Sequence, residues 1–272
     1  VLPRQNPLPS SARPAVLWTC RAFTAALLAA GLWTLWQGER PLFRGEHADW
    51  WPSTLWLLAG GSTLAALGRH LPLQNVLFAG LLIALAGGAT AWLDTKTGMP
   101  FGPVTFLAQP KLFGAPAVLP LIWTVAVLNS RGVARLILKP WRTHRDYGFR
   151  LIGLTAGLTA LFDLALEPFA TRVNHFWVWS STRFPLAWQG VPLVNFFSWA
   201  VVTALILAFV TPLLIPKQPH PSHSPDFHPL GVWMGGVLFF GAGCAAHGLW
   251  AAAALDAILG AVVALLAIRG GR

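Results

Sequence analysis

"LGVWMGGVLFFGAGCAAHGLWAAAALDAILGAVVALLAI", residues 230–268, contains no Lys or Arg and one acidic residue, Asp256. A helix needs roughly 20 apolar residues to cross a hydrocarbon core of about 30 Å, so this run is nearly long enough for two crossings. Working back from it, similar apolar runs recur along the whole chain. Of the 272 residues, 55% are hydrophobic and 10% charged, far from the roughly 25% charged residues of a soluble domain. The chain therefore reads as an integral membrane protein of the all-α class, a polytopic transmembrane bundle.

The apolar periods predict eight helices, at 15–36, 51–68, 75–93, 115–137, 149–167, 191–215, 230–249 and 251–269. They form one membrane domain spanning 1–272, with a polar opening (1–14) and a Pro/His-rich connection (216–229). The opening "VLPRQNPLPSSARP" lacks the layout of a cleaved secretory signal, and the first helix is expected to remain as an anchor. With alternating helices, thirteen Lys and Arg fall on the side of the N-terminus and six, Arg40, Arg44, Lys96, Lys111, Arg172 and Arg183, on the other. That bias predicts both termini in the cytoplasm and suits a bacterial inner membrane.

The net charge of +10 is thus a topology signal. The basic residues flank apolar segments and form no run interleaved with exposed aromatics, which argues against nucleic acid. Trp33, Trp36, Trp50, Trp51, Trp92 and Trp250 stand near segment ends, where indoles sit at the lipid headgroup level. Cys20 and Cys244 fall inside helices and imply no disulfide or metal framework. His220, His223 and His228 match no standard ligand spacing, and the chain has no phosphate loop, HExxH or His-box array. An enzyme built this way is expected to use neither nucleotide nor metal, and the expected cofactor set is empty.

"GAPAVLPLIW" (114–123) and "GVPLVNFFSW" (190–199) share Gly-x-Pro and a Trp at the same offset, and both are expected to open a helix. They mark either two related helix hairpins or one structural device used twice. The polar residues gather toward the same side of the membrane: Asp94 ends the third helix, and Asp163 and Glu167 the fifth. Asn195 begins the sixth, His247 ends the seventh, and Asp256 lies early in the eighth. Intramembrane ionisable groups point to a functional site by default. Structural roles compete with that reading: an Arg partner for Asp163, a water interface for Glu167, a helix end for Asp256. Asp163 and Glu167, at i and i+4, share a helix face. Two carboxyls in one dry site do not both ionise cheaply, so a neutral acid beside an anionic base is expected there.

"TGMPFGPVTFLAQPKLFGAPAVLPLIW", "DLALEP", "FWVW" and "GVPLVNFFSW", in that order, resemble the carotenoid biosynthesis protein family of membrane proteins, which includes the CruF-type carotenoid hydratases. The likeness spans roughly residues 75–215. It implies cofactor-free addition of water to the terminal double bond of an acyclic carotenoid end, lycopene-, gamma-carotene- or bisanhydrobacterioruberin-like, giving a tertiary alcohol. On that reading Asp163 donates the proton, Glu167 orients the water and Asn195 hydrogen-bonds the water or product hydroxyl, with donor and partner exchangeable. Trp177 and Trp179 line the end-group pocket; Trp199, Trp123, Phe101, Asp94, Asp256 and His247 complete the expected substrate-binding set. The alternative is a non-catalytic membrane subunit holding a carotenoid or chlorophyll-type pigment among other subunits, for which small-residue stretches and His247 would serve.

Overall fold

The computed structural model describes residues 12–37, 50–180, 186–215 and 225–272. The polar opening through residue 11 and most of the Pro/His-rich connection, with His220 and His223, lie outside the described residues, as do Arg40, Arg44, Arg183 and Lys217. The described chain forms a polytopic helix bundle: α1 Ala12–Gln37, α2 Trp50–Gly68, α3 Leu73–Thr97, α4 Leu119–Ile137, α5 Tyr147–Pro168, α6 Leu193–Val210, α7 His228–Ala246 and α8 Trp250–Gly271. Among the described residues six segments are long and apolar enough to cross a membrane, and α2 contributes a shorter apolar stretch, Ser53–Gly68. In lipid every backbone polar group must be paired within the protein, which is why each apolar run is a helix.

The exception in composition is α4, which carries Asn129, Ser130 and Arg131 yet is the most enclosed helix of the bundle. It packs against α2, α3, α5, α7 and α8. Two of these side chains donate inside the protein, while Asn129 Oδ1 and Ser130 Oγ are buried without a partner. The Asn129 amide donates to Thr63 Oγ1 at 2.8 Å and to the Val125 carbonyl at 2.8 Å, and the Arg131 guanidinium to the Leu214 carbonyl at 3.2 Å.

Close approach around α4 depends on missing side chains. A β-carbon at Gly87 of α3 would fall on the Trp123 ring, and one at Gly270 of α8 would meet the Leu136 and Ile137 carbonyls. Trp123 is itself stacked on Trp199 of α6, centroids 3.7 Å apart and planes 7° from parallel, so Gly87 seats a ring pair joining three helices.

Short strands, which the helical periodicity does not reveal, join the helix ends. β1 Val104–Phe106, in the α3–α4 connection, pairs antiparallel with β4 Trp177–Trp179, in the α5–α6 connection. β2 Lys111–Leu112 pairs with β3 Ala115–Pro116, and β5 Ala187–Trp188 with β6 Val191–Pro192. The latter two give the repeated Gly-x-Pro its physical meaning. Each hairpin turns on two residues of positive φ, Phe113 (53°) and Gly114 (93°), or Gln189 (52°) and Gly190 (89°), the requirement of the tight turn that matches strand twist. The Pro then closes the strand, so the helices start at Leu119 and Leu193, two to four residues after the expected positions 115 and 191. At the other end, α6 stops at Val210 and a single tight turn, Thr211–Leu214, replaces the rest of the run expected to residue 215.

At the opposite end of the bundle from these hairpins, the Arg69 guanidinium grips both oxygens of Asp226 at 3.0 Å each, tying the end of α2 to the start of α7. Burial works against ionisation of Asp226, but His70, the His228 amide and Arg69 outweigh it and hold the carboxyl down to about 2. A depressed carboxyl stabilises the fold above its ordinary 3.8, and that contribution disappears as pH falls through about 2. Acid titration of detergent-solubilised protein should therefore show a stability loss over this window, which Asp226→Asn removes. A second expectation concerns Gly87: Gly87→Ala displaces Trp123 and lowers stability by about 1–3 kcal/mol, seen as a lower melting temperature with altered near-UV circular dichroism.

Candidate active site

Asp163 and Glu167 close the last turns of α5, one turn apart on the same face, and both are buried. After Pro168, which has no amide hydrogen to continue the regular ladder, the chain widens into a π-helical turn, Phe169–Val173, capped by the Asn174 amide on the Phe169 carbonyl. The π turn leads into β4. Pairing of β4 with β1 places Val104 opposite Trp179 and Phe106 opposite Trp177. Alternation along β4 buries Trp177 and leaves Val178 exposed.

Three side chains then meet the carboxyls. The indole N–H groups of Trp177 and Trp179 both donate to Glu167 Oε2, at 3.0 and 2.9 Å. The Asn195 amide, from the first turn of α6, donates to Asp163 Oδ2 at 2.7 Å and to Glu167 Oε1 at 3.3 Å. Asp163 Oδ1 is buried without a partner. Among the described residues neither carboxyl forms an ion pair. Arg172, the nearest cation in sequence, donates instead to the Gln189 carbonyl at 2.9 Å. The structural alternatives for this pair, an Arg partner and a water interface, therefore do not describe it. The charge is met by N–H donors alone.

Glu167 and Asn195 open on a cavity lined by Asp94, Phe101, Trp123, Trp177, Trp179 and Trp199, with Ala91, Val104, Phe106 and Leu119 filling the rest of its wall. Its volume is about 30 Å³, above the roughly 10–15 Å³ that one water requires. The cavity lies where α3 and α5 end and α4 and α6 begin. Phe101 sits 6.0 Å from Trp123 and 6.3 Å from Trp199, centroid to centroid, so three of the wall's rings form one cluster.

Not every expected residue arrives. Asp163 is not among the lining residues and is linked to the cavity through Asn195. Asp256 is buried against Gly241 of α7, with both oxygens unpartnered, and does not bond a helix end. His247 is exposed, one ring nitrogen 2.9 Å from the Gly243 carbonyl. Neither lines the cavity. Val104 and Phe106 do, unforeseen; they reach it through the pairing of β1 with β4, strands of three residues whose alternation is too short to register in the sequence. No cluster of His, Cys, Asp and Glu suited to a metal occurs among the described residues.

The site is thus a cation-free carboxyl pair in a membrane bundle, of which Glu167 opens on an aromatic cavity. The chain belongs to the carotenoid biosynthesis protein family, whose sequence profile matches residues 53–263, a span that contains every residue of the cavity. No curated protein and no solved structure matches the chain.

The hydrogen-bond pattern separates two isosteric changes. In Glu167→Gln the new NH2 faces either two indole N–H groups or the Asn195 amide, whichever way it turns. The loss is expected to be about 1–3 kcal/mol of stability. Asp256→Asn, whose oxygens accept no bond, is expected not to lower stability. Melting temperatures of the two variants in the same detergent check this order.

Proposed function

We propose that this protein is a carotenoid hydratase, adding water to the terminal double bond of an acyclic carotenoid end. Family membership supports a carotenoid substrate and a membrane setting. One observation carries the finer reading: a paired carboxyl site, free of cations, reaches through Glu167 and Asn195 an aromatic cavity with room for water.

The chemistry asks for such a site. Protonation of a trisubstituted alkene leaves positive charge on the tertiary carbon, and water captures it. Glu167, facing the cavity, orients that water and takes its proton. Asn195 holds both carboxyls and the water or product hydroxyl; Asp163, expected as the proton donor, sits behind Asn195 and outside the cavity lining, so it sets the charge and position of Glu167 while the proton comes from a carboxyl on the cavity wall. The indole and phenyl faces of the wall stabilise the cation. Water addition is redox-neutral and needs no electron carrier. The polar groups of the cavity, Asp94, Glu167 and Asn195, are buried inside the bundle, which favours this reading; exposed His247 is the feature a pigment subunit would use, and the hydration assay separates the two.

We place the enzyme in a bacterial inner membrane with both termini cytoplasmic, on the charge bias of its loops. Expressed in a host that accumulates lycopene or gamma-carotene, it is expected to yield a product heavier by one water, detected by chromatography with mass spectrometry. Asp163→Asn is the cleaner variant. Its carbonyl can keep the Asn195 bond while its NH2 takes the unpartnered position, so the fold is retained and product is lost. Full turnover in both Asp163→Asn and Glu167→Gln would overturn the assignment.

A further inference from the structure

The cavity has a second carboxyl wall. Asp94 is 3% exposed and lies on α3, across the bundle from the α5 pair in sequence and in helix, yet it lines the same space as Glu167. Its placement is set by backbone. Gly98, at φ 64°, ends α3 with its amide on the Asp94 carbonyl at 2.8 Å, and the chain turns back so that the Phe101 amide donates to Asp94 Oδ1 at 3.0 Å. Ser198 of α6 holds this turn, its hydroxyl donating to the Pro100 carbonyl at 2.6 Å. Asp94 Oδ2 remains buried and unpartnered.

The two cavity carboxyls differ in what their oxygens can still do. Each carboxylate oxygen has about two acceptor sites. Glu167 Oε2 has both occupied by indole N–H groups and Oε1 accepts from Asn195, so Glu167 is built as an acceptor. Asp94 has one oxygen tied to backbone and the other, Oδ2, without a partner, the arrangement that leaves Oδ2 able to carry an O–H.

Resting on the hydration reading, we infer that Asp94 is the acid of the reaction, acting from the wall opposite the Glu167 base. The alkene's π pair takes the proton of Asp94 Oδ2, forming a C–H bond and leaving the charge on the tertiary carbon. Water held at Glu167 adds its oxygen to that carbon and yields one proton to Glu167. After the alcohol leaves, a proton returns from Glu167 to Asp94 through cavity water. One alkene and one water are consumed, one tertiary alcohol forms, and both carboxyls are restored. Acid and base on separate walls require the end group to enter between them, with attack from the face opposite the incoming proton.

The test compares wild type, Asp94→Asn and Asp94→Glu as full-length protein in detergent or vesicles, with an acyclic carotenoid as substrate. Asp94→Asn keeps the Phe101 bond through its carbonyl, so the turn is preserved. Turnover is expected to fall by about 100-fold or more, in the range of a lost general acid, while quenching of Trp fluorescence by bound polyene is unchanged and Asp94→Glu recovers part of the rate. Turnover of Asp94→Asn within about threefold of wild type would overturn the role, the general-acid contribution being larger than that. Parallel loss of binding and turnover, with a lowered melting temperature, would overturn it as well, since a merely structural Asp94 gives that pattern. Failure of the wild type itself to hydrate the substrate would instead bring down the hydration reading, and this role with it.

Discussion

Two adjacent carboxyl groups buried in an apolar bundle must be met by hydrogen-bond donors, and the source of those donors organises this end of the molecule. Leaving a buried polar group unpaired costs on the order of 1–3 kcal/mol, and more when it is charged. Arg or Lys could supply the pairing, but would bring a second charge to be desolvated. Here two indoles and one carboxamide do it. Each comes from a different piece of chain, and each piece is fixed by something further away. Asn195 is presented by a helix whose start is set by the Gln189–Gly190 turn. The indoles are presented by a strand aligned only because β1 pairs with it. The π turn after Pro168 connects that strand to the carboxyls. Hairpins, turn and helix starts are thus consequences of one satisfaction problem.

The helices were legible because lipid leaves the backbone few alternatives: an apolar run of sufficient length has to pair its own amides. Even α4 could be placed, since its few polar residues interrupt the run without shortening it. The strands were not legible. Segments of two or three residues carry too little period to register, and the turns Phe113–Gly114 and Gln189–Gly190 lack the Asn or Asp that usually announces such a hairpin. The repeated Gly-x-Pro could be seen, though its expected role, opening a helix directly, was displaced by a strand.

The site divides in the same way. Spacing along α5 put Asp163 and Glu167 on one face, and the neighbouring motifs named Asn195, Trp177 and Trp179, all of which meet in space. Depth in the membrane was readable for Asp256 and His247 as well, but depth does not fix which way a helix faces. Asp256 turns toward Gly241 and His247 outward. The division of labour among carboxyl oxygens is tertiary information. It depends on which donor reaches which atom, and nothing in the order of residues encodes that.

The wall opposite the carboxyls matters as much as the carboxyls. On the proposed hydration, a cationic intermediate would need surrounding dipoles and ring faces that are already in place. The stacked Trp123 and Trp199, seated on Gly87 and braced by Phe101, form a wall that cannot easily shift, because its rings belong to two helices and rest on a third. The space of about 30 Å³ beside them has room for water. The stacked rings and the small space beside them both follow from packing α3, α4 and α6 closely at the point where the carboxyls need their donors.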